Sequence, residues 1–289
     1  MIIVGLTGGL GNQMFQYAFG FRLAEHHKTE LKLDLGHYSD PKLNFPTRTF
    51  DLGIFNITAG IATDKEVKKF SKRVGHDLTD KLLGRVLGVK ASHIREPHFH
   101  FSQEAFESPD NVYLSGYWQS EKYFRDVEDQ LREEFSFRDP PCEAAKPLLE
   151  KIKDSESVCV HVRRGDFVTN TFNGLYGRDY YDTGAEIISQ LKPPLSYFVF
   201  SDDIPWCREN LSFEGETTFV DHDFGPNKFR DDLRLMSACK HFIIANSSFS
   251  WWAVWLNGRS DKTVVAPSRW ATPTDIDKSD MYLPGWIRI

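Results

Sequence analysis

The chain has 289 residues, of which 40% are hydrophobic and 14% aromatic, enough apolar material for one large core or two smaller ones. Lys and Arg number 35 against 41 Asp and Glu, and the net charge of −6 argues against a nucleic-acid binder while allowing a local basic pocket. No run reaches the roughly 18 apolar residues of a membrane span, and the opening Met1-Ile2-Ile3-Val4-Gly5-Leu6 lacks a positive leader region. It reads as a strand, which makes a cytoplasmic location the expectation. Cys142, Cys159, Cys207 and Cys239 show no C-x-x-C spacing and are expected to be reduced thiols. The sequon Asn246-Ser247-Ser248 lies inside the strongest motif, where a glycan would be badly placed.

In chain order, residues 2–8 predict a buried strand, Gly8 to Gln13 a turn, and Met14 to His27 a helix with apolar residues at helical spacing. Leu31 to Leu35 predicts a second strand, so the chain opens on a βαβ unit and a parallel sheet. Lys65 to Lys90 is charged and helical in character; Asn111 to Trp118 predicts a strand; Ser120 to Phe135 predicts an amphipathic helix on Tyr123, Val127 and Leu131. Arg138-Asp139-Pro140-Pro141 is a stop signal, which divides the chain into domains 1–140 and 141–289. Strands are then expected at 157–162, 196–201, 217–220, 241–245 and 263–266, with helices at 180–191, 205–211, 231–239 and 250–256. That alternation is the pattern of a doubly wound α/β domain.

Ligands of such sheets bind beyond the carboxyl ends of the strands. Those ends carry Arg163-Arg164-Gly165-Asp166, Ser201-Asp202-Asp203, Asp221-His222-Asp223, Asn246-Ser247-Ser248 and Pro267-Ser268-Arg269, a set suited to a charged, hydrogen-bonding ligand. Asn246-Ser247-Ser248-Phe249 opens an apolar helix, whose free N–H groups and dipole favour an anion, although a plain serine cap is the simpler alternative. The tryptophans that follow are read as core. Arg163 supplies a planar cationic fork, with a structural pair to Asp166 as the competing role. Gly8-Gly9-Leu10-Gly11-Asn12-Gln13 imperfectly matches a dinucleotide loop, since Met14 stands where a third glycine belongs. Asp34, ending the second strand, keeps an NAD-dependent sugar-modifying enzyme as one alternative. A non-catalytic nucleotide- or glycan-binding protein is another.

The segments Gly8 to Gln16, His161 to Asp166, Phe200 to Asp203 and Ala245 to Trp252 together resemble the α-1,2-fucosyltransferases, in that family's order. The resemblance implies a GT-B architecture, two Rossmann-like domains facing across a cleft with the donor in the C-terminal one. It implies inverting, metal-independent transfer of L-fucose from GDP-β-L-fucose to the 2-hydroxyl of a terminal galactose, without a cofactor, in glycan or surface polysaccharide synthesis. A lipid-linked acceptor would add peripheral membrane association. Matching residue by residue implies that Arg163 contacts the diphosphate and that Ser247, Ser248 and the Phe249 N–H hold phosphate oxygens, with Asn246 also in the donor-binding set. Asp202 accepts from the guanine edge and His161 lines the nucleotide. Gly11, Asn12 and Gln13 form an acceptor-side loop, with Asn12 near the chemistry. Asp232 is a helix cap or a second donor-site acid, and Asp166 is the nearest candidate base. Residues 37–110 match no motif and are expected to carry acceptor choice.

Overall fold

The computed structural model describes residues 1–39, 48–71, 93–169, 174–191, 194–222, 224–225, 228–272 and 277–289. The chain divides into two compact units, Met1–Arg138 with Ser279–Met281, and Asp139–Lys278 with Tyr282–Ile289.

The first unit is built on β1 (Ile2–Gly5), β2 (Leu31–Asp34), β3 (Gly60–Ile61), β4 (His93–Arg95) and β5 (Val112–Ser115), in the spatial order β3-β2-β1-β5-β4. Every pairing is parallel. Ile2, Ile3 and Val4 are all buried, which is why β1 is a continuous apolar run rather than an alternating one. The helix after β1 runs Leu10–His27, four residues earlier than the expected start at Met14. Gly11, Asn12 and Gln13 therefore lie in its first turn and not in a loop ahead of it. The helix closes at Lys28, a left-handed residue whose N–H returns to the Ala24 and Glu25 carbonyls. The single helix expected over 120–135 is instead two tight turns, Glu121–Tyr123 and Arg125–Val127, followed by the α-helix Glu128–Glu134. Phe124 breaks it: at φ −145° it leaves the helical region to bury its ring 6.1 Å from that of Phe15. The charged helix is seen over Asp64–Ser71; the rest of that expected segment lies outside the described residues.

The second unit holds β6 (Glu156–Val162), β7 (Leu195–Ser201), β8 (Glu216–Phe219), β9 (His241–Ile243), β10 (Val264–Ala266) and β11 (Ile287–Arg288). They pair in parallel in the order β11-β10-β9-β6-β7-β8. The strands at 60–61, 93–95 and 287–288 and the helix Lys146–Asp154 were not expected. The three strands are too short to show a period.

Both sheets reverse their direction of growth once. In the first, β1, β2 and β3 step outward, and β5 then lies on the other side of β1. In the second, β6, β7 and β8 step outward, and β9 returns beside β6. Each reversal leaves a crevice at the strands' carboxyl ends, where ligands of open α/β sheets bind.

Candidate active site

The β6–β7 register pairs Val162 with Ser201, so one residue further Arg163 stands beside Asp202 and Arg164 beside Asp203. Arg163 Nη1 reaches Asp202 Oδ2 at 2.8 Å, and Arg164 Nε reaches Asp203 Oδ2 at 3.0 Å. Asp202 Oδ1 also accepts the Arg164 backbone N–H at 2.8 Å. A side-chain carbon at Gly165 would fall 2.4 Å from Asp202 Oδ2, so glycine there admits the carboxylate. The two arginines differ in task. Arg164 stacks 4.0 Å over the Trp206 ring, and its partner Asp203 caps the helix Ile204–Asn210 by accepting the Trp206 N–H. Arg164 thus ties strand to helix. Arg163 is held by Asp202 at the end of the strand nearest the crevice. The helix cap is therefore Asp203 and not its neighbour Asp202.

Across the crevice, the helix Ser248–Leu256 begins just after β9. Ser247 is its cap, its Oγ accepting the Phe249 N–H at 3.3 Å. Ser250 Oγ donates to the carbonyls of Ala245 and Ser247 and fixes the bend. Trp251 and Trp252 are fully buried, as expected of core residues. Asn246 is buried, and its amide donates to the Trp270 carbonyl at 3.3 Å, so the sequon is closed to a glycan in the folded chain. His161 joins the two motifs, its ring 6.1 Å from that of Phe249. Burial, and then the charge of Arg163, hold its pKa down to about 3, so the ring is neutral at physiological pH. Its buried Nδ1 has no hydrogen-bond partner among the described residues.

Asp232 lies within the helix Lys228–Ala238 and is not its cap. Burial raises its pKa from 3.8 to about 6, against the pull of Lys228, whose Nζ is 3.2 Å from Oδ1. Its neighbour Asp231 is fully buried between Arg230 and Arg234 and has a structural part. Asp221 pairs with Arg208 at 2.5 Å; Asp223 lies outside the described residues, as does the side chain of Asp166.

In the first unit, Gln13 Nε2 donates to the carbonyls of Gly8 and Thr49, and its Oε1 accepts the Asp51 N–H. Gln13 therefore shapes the loop from a fully buried position. Asn12 is only partly buried, and its Oδ1 accepts Gln119 Nε2 at 2.9 Å. Asp34 accepts from the Gly36 N–H and the Tyr113 hydroxyl, both at 2.9 Å. These bonds give it a place inside the sheet and weaken the case for a ribose-binding acid. The sequence reading placed Gly165 and Asp203 at strand ends without giving them a task, and it missed Trp206. Their signal was the register between two adjacent strands, which no single motif displays.

Residues 57–289 match the family described as Glycosyl transferase family 11. The chain belongs to that family. Similar proteins include an Escherichia coli alpha-1,2-colitosyltransferase, 32% identical with 100% of this chain and 99% of the relative covered. The O-antigen biosynthesis glycosyltransferase WbnK of Escherichia coli is 31% identical, over 98% of this chain and 99% of the relative. The mouse galactoside 2-alpha-L-fucosyltransferase Sec1 is 23% identical, over 100% of this chain and 74% of the relative. In fold, the chain is similar to the solved structure of POFUT1 in complex with GDP-fucose, with TM-score 0.53 and 14% identity over 92% of this chain and 96% of that one. The family 11 chain is thus a fucosyltransferase-like glycosyltransferase with the two Rossmann-like units of the GT-B class. Among its described residues no helix is long and apolar enough to cross a membrane.

Proposed function

We propose that this glycosyltransferase moves L-fucose, with inversion, from GDP-β-L-fucose to the 2-hydroxyl of a terminal galactose in glycan or surface polysaccharide synthesis. The observation that carries the reading is Arg163, braced by Asp202 at the reversal point beside the Ser248–Leu256 helix start. In this reading the guanidinium and the helix N-terminus share the diphosphate and stabilise GDP as it leaves. Neutral His161 lines the nucleotide without adding charge.

The guanine edge goes to Asp232 rather than Asp202. Both Asp202 oxygens already hold arginine groups, whereas Asp232 is a half-buried carboxylate whose Oδ1 has a lysine partner at 3.2 Å. Asn12 serves the acceptor side, with Gly11 and Gln13 shaping its turn. Asp166 or a phosphate oxygen of the departing GDP takes the galactose proton. The reaction needs no cofactor, it takes place in the cytoplasm, and a lipid-linked acceptor would bring the protein to a membrane surface.

The relative at 32% identity favours a second reading, transfer of colitose, which is L-fucose without its 3-hydroxyl. The deciding experiment offers GDP-fucose and GDP-colitose in parallel against a panel of galactosides and determines product linkage by NMR. Fucose on O2 of galactose is the expected product. Turnover with GDP-colitose alone would establish the second reading.

A further inference from the structure

The carboxyl end of β5 carries a turn that the donor chemistry does not use. Trp118 adopts φ 55°, a conformation uncommon for a bulky side chain, and its buried indole N–H has no acceptor among the described residues. Glu96, one residue past β4, pins the turn. Its Oε2 accepts the Tyr117 N–H at 2.7 Å and its Oε1 accepts the Trp118 N–H at 2.8 Å. A side-chain carbon at Gly116 would fall 2.3 Å from the Glu96 Cβ, so the preceding residue has to be glycine for this approach. Backbone held away from its preferred conformation by surrounding bonds is a mark of functional sites.

The turn leaves Tyr117 among the exposed large side chains, at 36% exposure, with the Phe99 ring 6.5 Å away and inclined by only 15°. Single exposed aromatics are common on protein surfaces. A ring pair on a pinned, strained turn is a different object, because the backbone that carries the ring is fixed before any ligand arrives. Its position also matters. β5 lies next to β1, so Tyr117 follows one wall of the first sheet's reversal point while Asn12 follows the other. Gln119 spans the two through its bond to Asn12, and Tyr38 donates to the Gly8 carbonyl at 3.0 Å on the same loop. An aromatic face beside amides and phenols is the usual lining of a site for a neutral sugar. Galactose suits it, since its axial 4-hydroxyl leaves the C3, C4 and C5 hydrogens as an apolar patch on the opposite face.

We propose that Tyr117, backed by Phe99, is the stacking platform for the pyranose ring of the acceptor. This rests on the galactoside-transfer reading and adds the residue that selects the ring. The test compares Tyr117→Ala and Tyr117→Phe with wild type in steady-state transfer from GDP-fucose to a galactose-terminated disaccharide. Tyr117→Ala should raise the acceptor KM about ten-fold, while Tyr117→Phe, which keeps the ring, stays close to wild type. GDP affinity by calorimetry should be the same in all three. In parallel, saturation-transfer NMR with methyl β-galactoside and methyl β-glucoside reads sugar contact without turnover, and the Ala variant should lose the preference for the galactoside. Acceptor KM and NMR signals unchanged in Tyr117→Ala overturn the platform, as does an equal rise in donor and acceptor KM. Absence of any transfer by wild type, with ring-dependent galactoside binding intact, would instead fault the assigned reaction and leave the platform standing.

Discussion

The two reversal points share a topology and differ in what stands at their strand ends. In the first unit the groups at the β1 turn are amides bonded to one another or to backbone, Gln13 to Gly8, Thr49 and Asp51, Gln16 to Thr7 and Gly116, Asn12 to Gln119, and the carboxylates Asp34 and Glu96 accept from backbone N–H and hydroxyl groups rather than from cations. In the second they are charged and paired across β6 and β7, Arg163 with Asp202 and Arg164 with Asp203. A parallel sheet that reverses once provides a crevice; the residues one step past the strand decide whether it suits a diphosphate or a hydroxyl-rich ring.

The largest effect should come from removing the charge that sets the second crevice apart. Arg163→Ala should lower kcat by about 10²–10³, the loss expected when a donor to a developing anion is removed. Arg163→Lys should rescue poorly, because a point charge does not replace the planar fork. Arg164→Ala is the internal contrast. It unstacks Trp206 and frees Asp203, so the loss should appear in the melting temperature rather than in kcat of the folded enzyme. A folded Arg163→Ala with near-normal kcat ends the division of labour between the two arginines.

Next in size is Asp202→Asn. An amide presents one acceptor oxygen where the carboxylate presents two, so one of the bonds to Arg163 and the Arg164 N–H is weakened. With a misplaced Arg163, kcat should fall by about ten-fold, and preference for GDP over ADP and UDP should persist. If calorimetry of the three nucleotides instead shows that preference gone, Asp202 reads guanine after all.

Asp232 gives a smaller, pH-dependent contrast. Its folded pKa is raised from 3.8 to about 6, so the unfolded chain releases this proton first. The group therefore does not oppose folding below about pH 3.8 and does so increasingly as pH climbs to about 6. Guanine N–H donors favour the ionised form, so GDP affinity should rise as pH passes through about 6 and flatten above it. Asp232→Asn should remove that slope and reduce the GDP preference. Calorimetry from about pH 5 to 8 on both proteins checks this, and a slope that survives in the mutant assigns it to another group.

The second unit was the more legible half, for a physical reason. Its strands β6 and β7 are seven residues long, and each ends abruptly in charge, so both periodicity and strand ends stand out. In the first unit, β3 has two residues and β4 three, too few to show a pattern, and both were missed. The helix start at Leu10 was hidden because glycines normally mark turns, whereas Gly9 and Gly11 here flank the first turn of a buried helix. The sequence reading singled out Arg163 and Asp202 separately and did not anticipate that they pair. Arg163 meets Asp202 because parallel register places two strand ends side by side, which a linear search for neighbours such as Asp166 does not detect.

The smallest expected effect is none at all, and it bears on where the countercharge comes from. Asp221-His222-Asp223 has the spacing of a pair that could hold a divalent ion on a diphosphate. Asp221 is engaged with Arg208, which holds its pKa below the ordinary value, so a metal would have to displace a guanidinium already in place. Arg163 and the first turn of the Ser248–Leu256 helix offer positive charge without a metal. Transfer should therefore be unchanged in excess EDTA and after addition of Mg²⁺ or Mn²⁺. Arg208→Ala should leave it metal-independent as well, since freeing Asp221 does not move it to the Arg163 crevice. Activity abolished by EDTA and restored by Mn²⁺ would show that the second crevice does not neutralise the diphosphate with its own side chains, and the contrast between the two units would then need a metal to complete it.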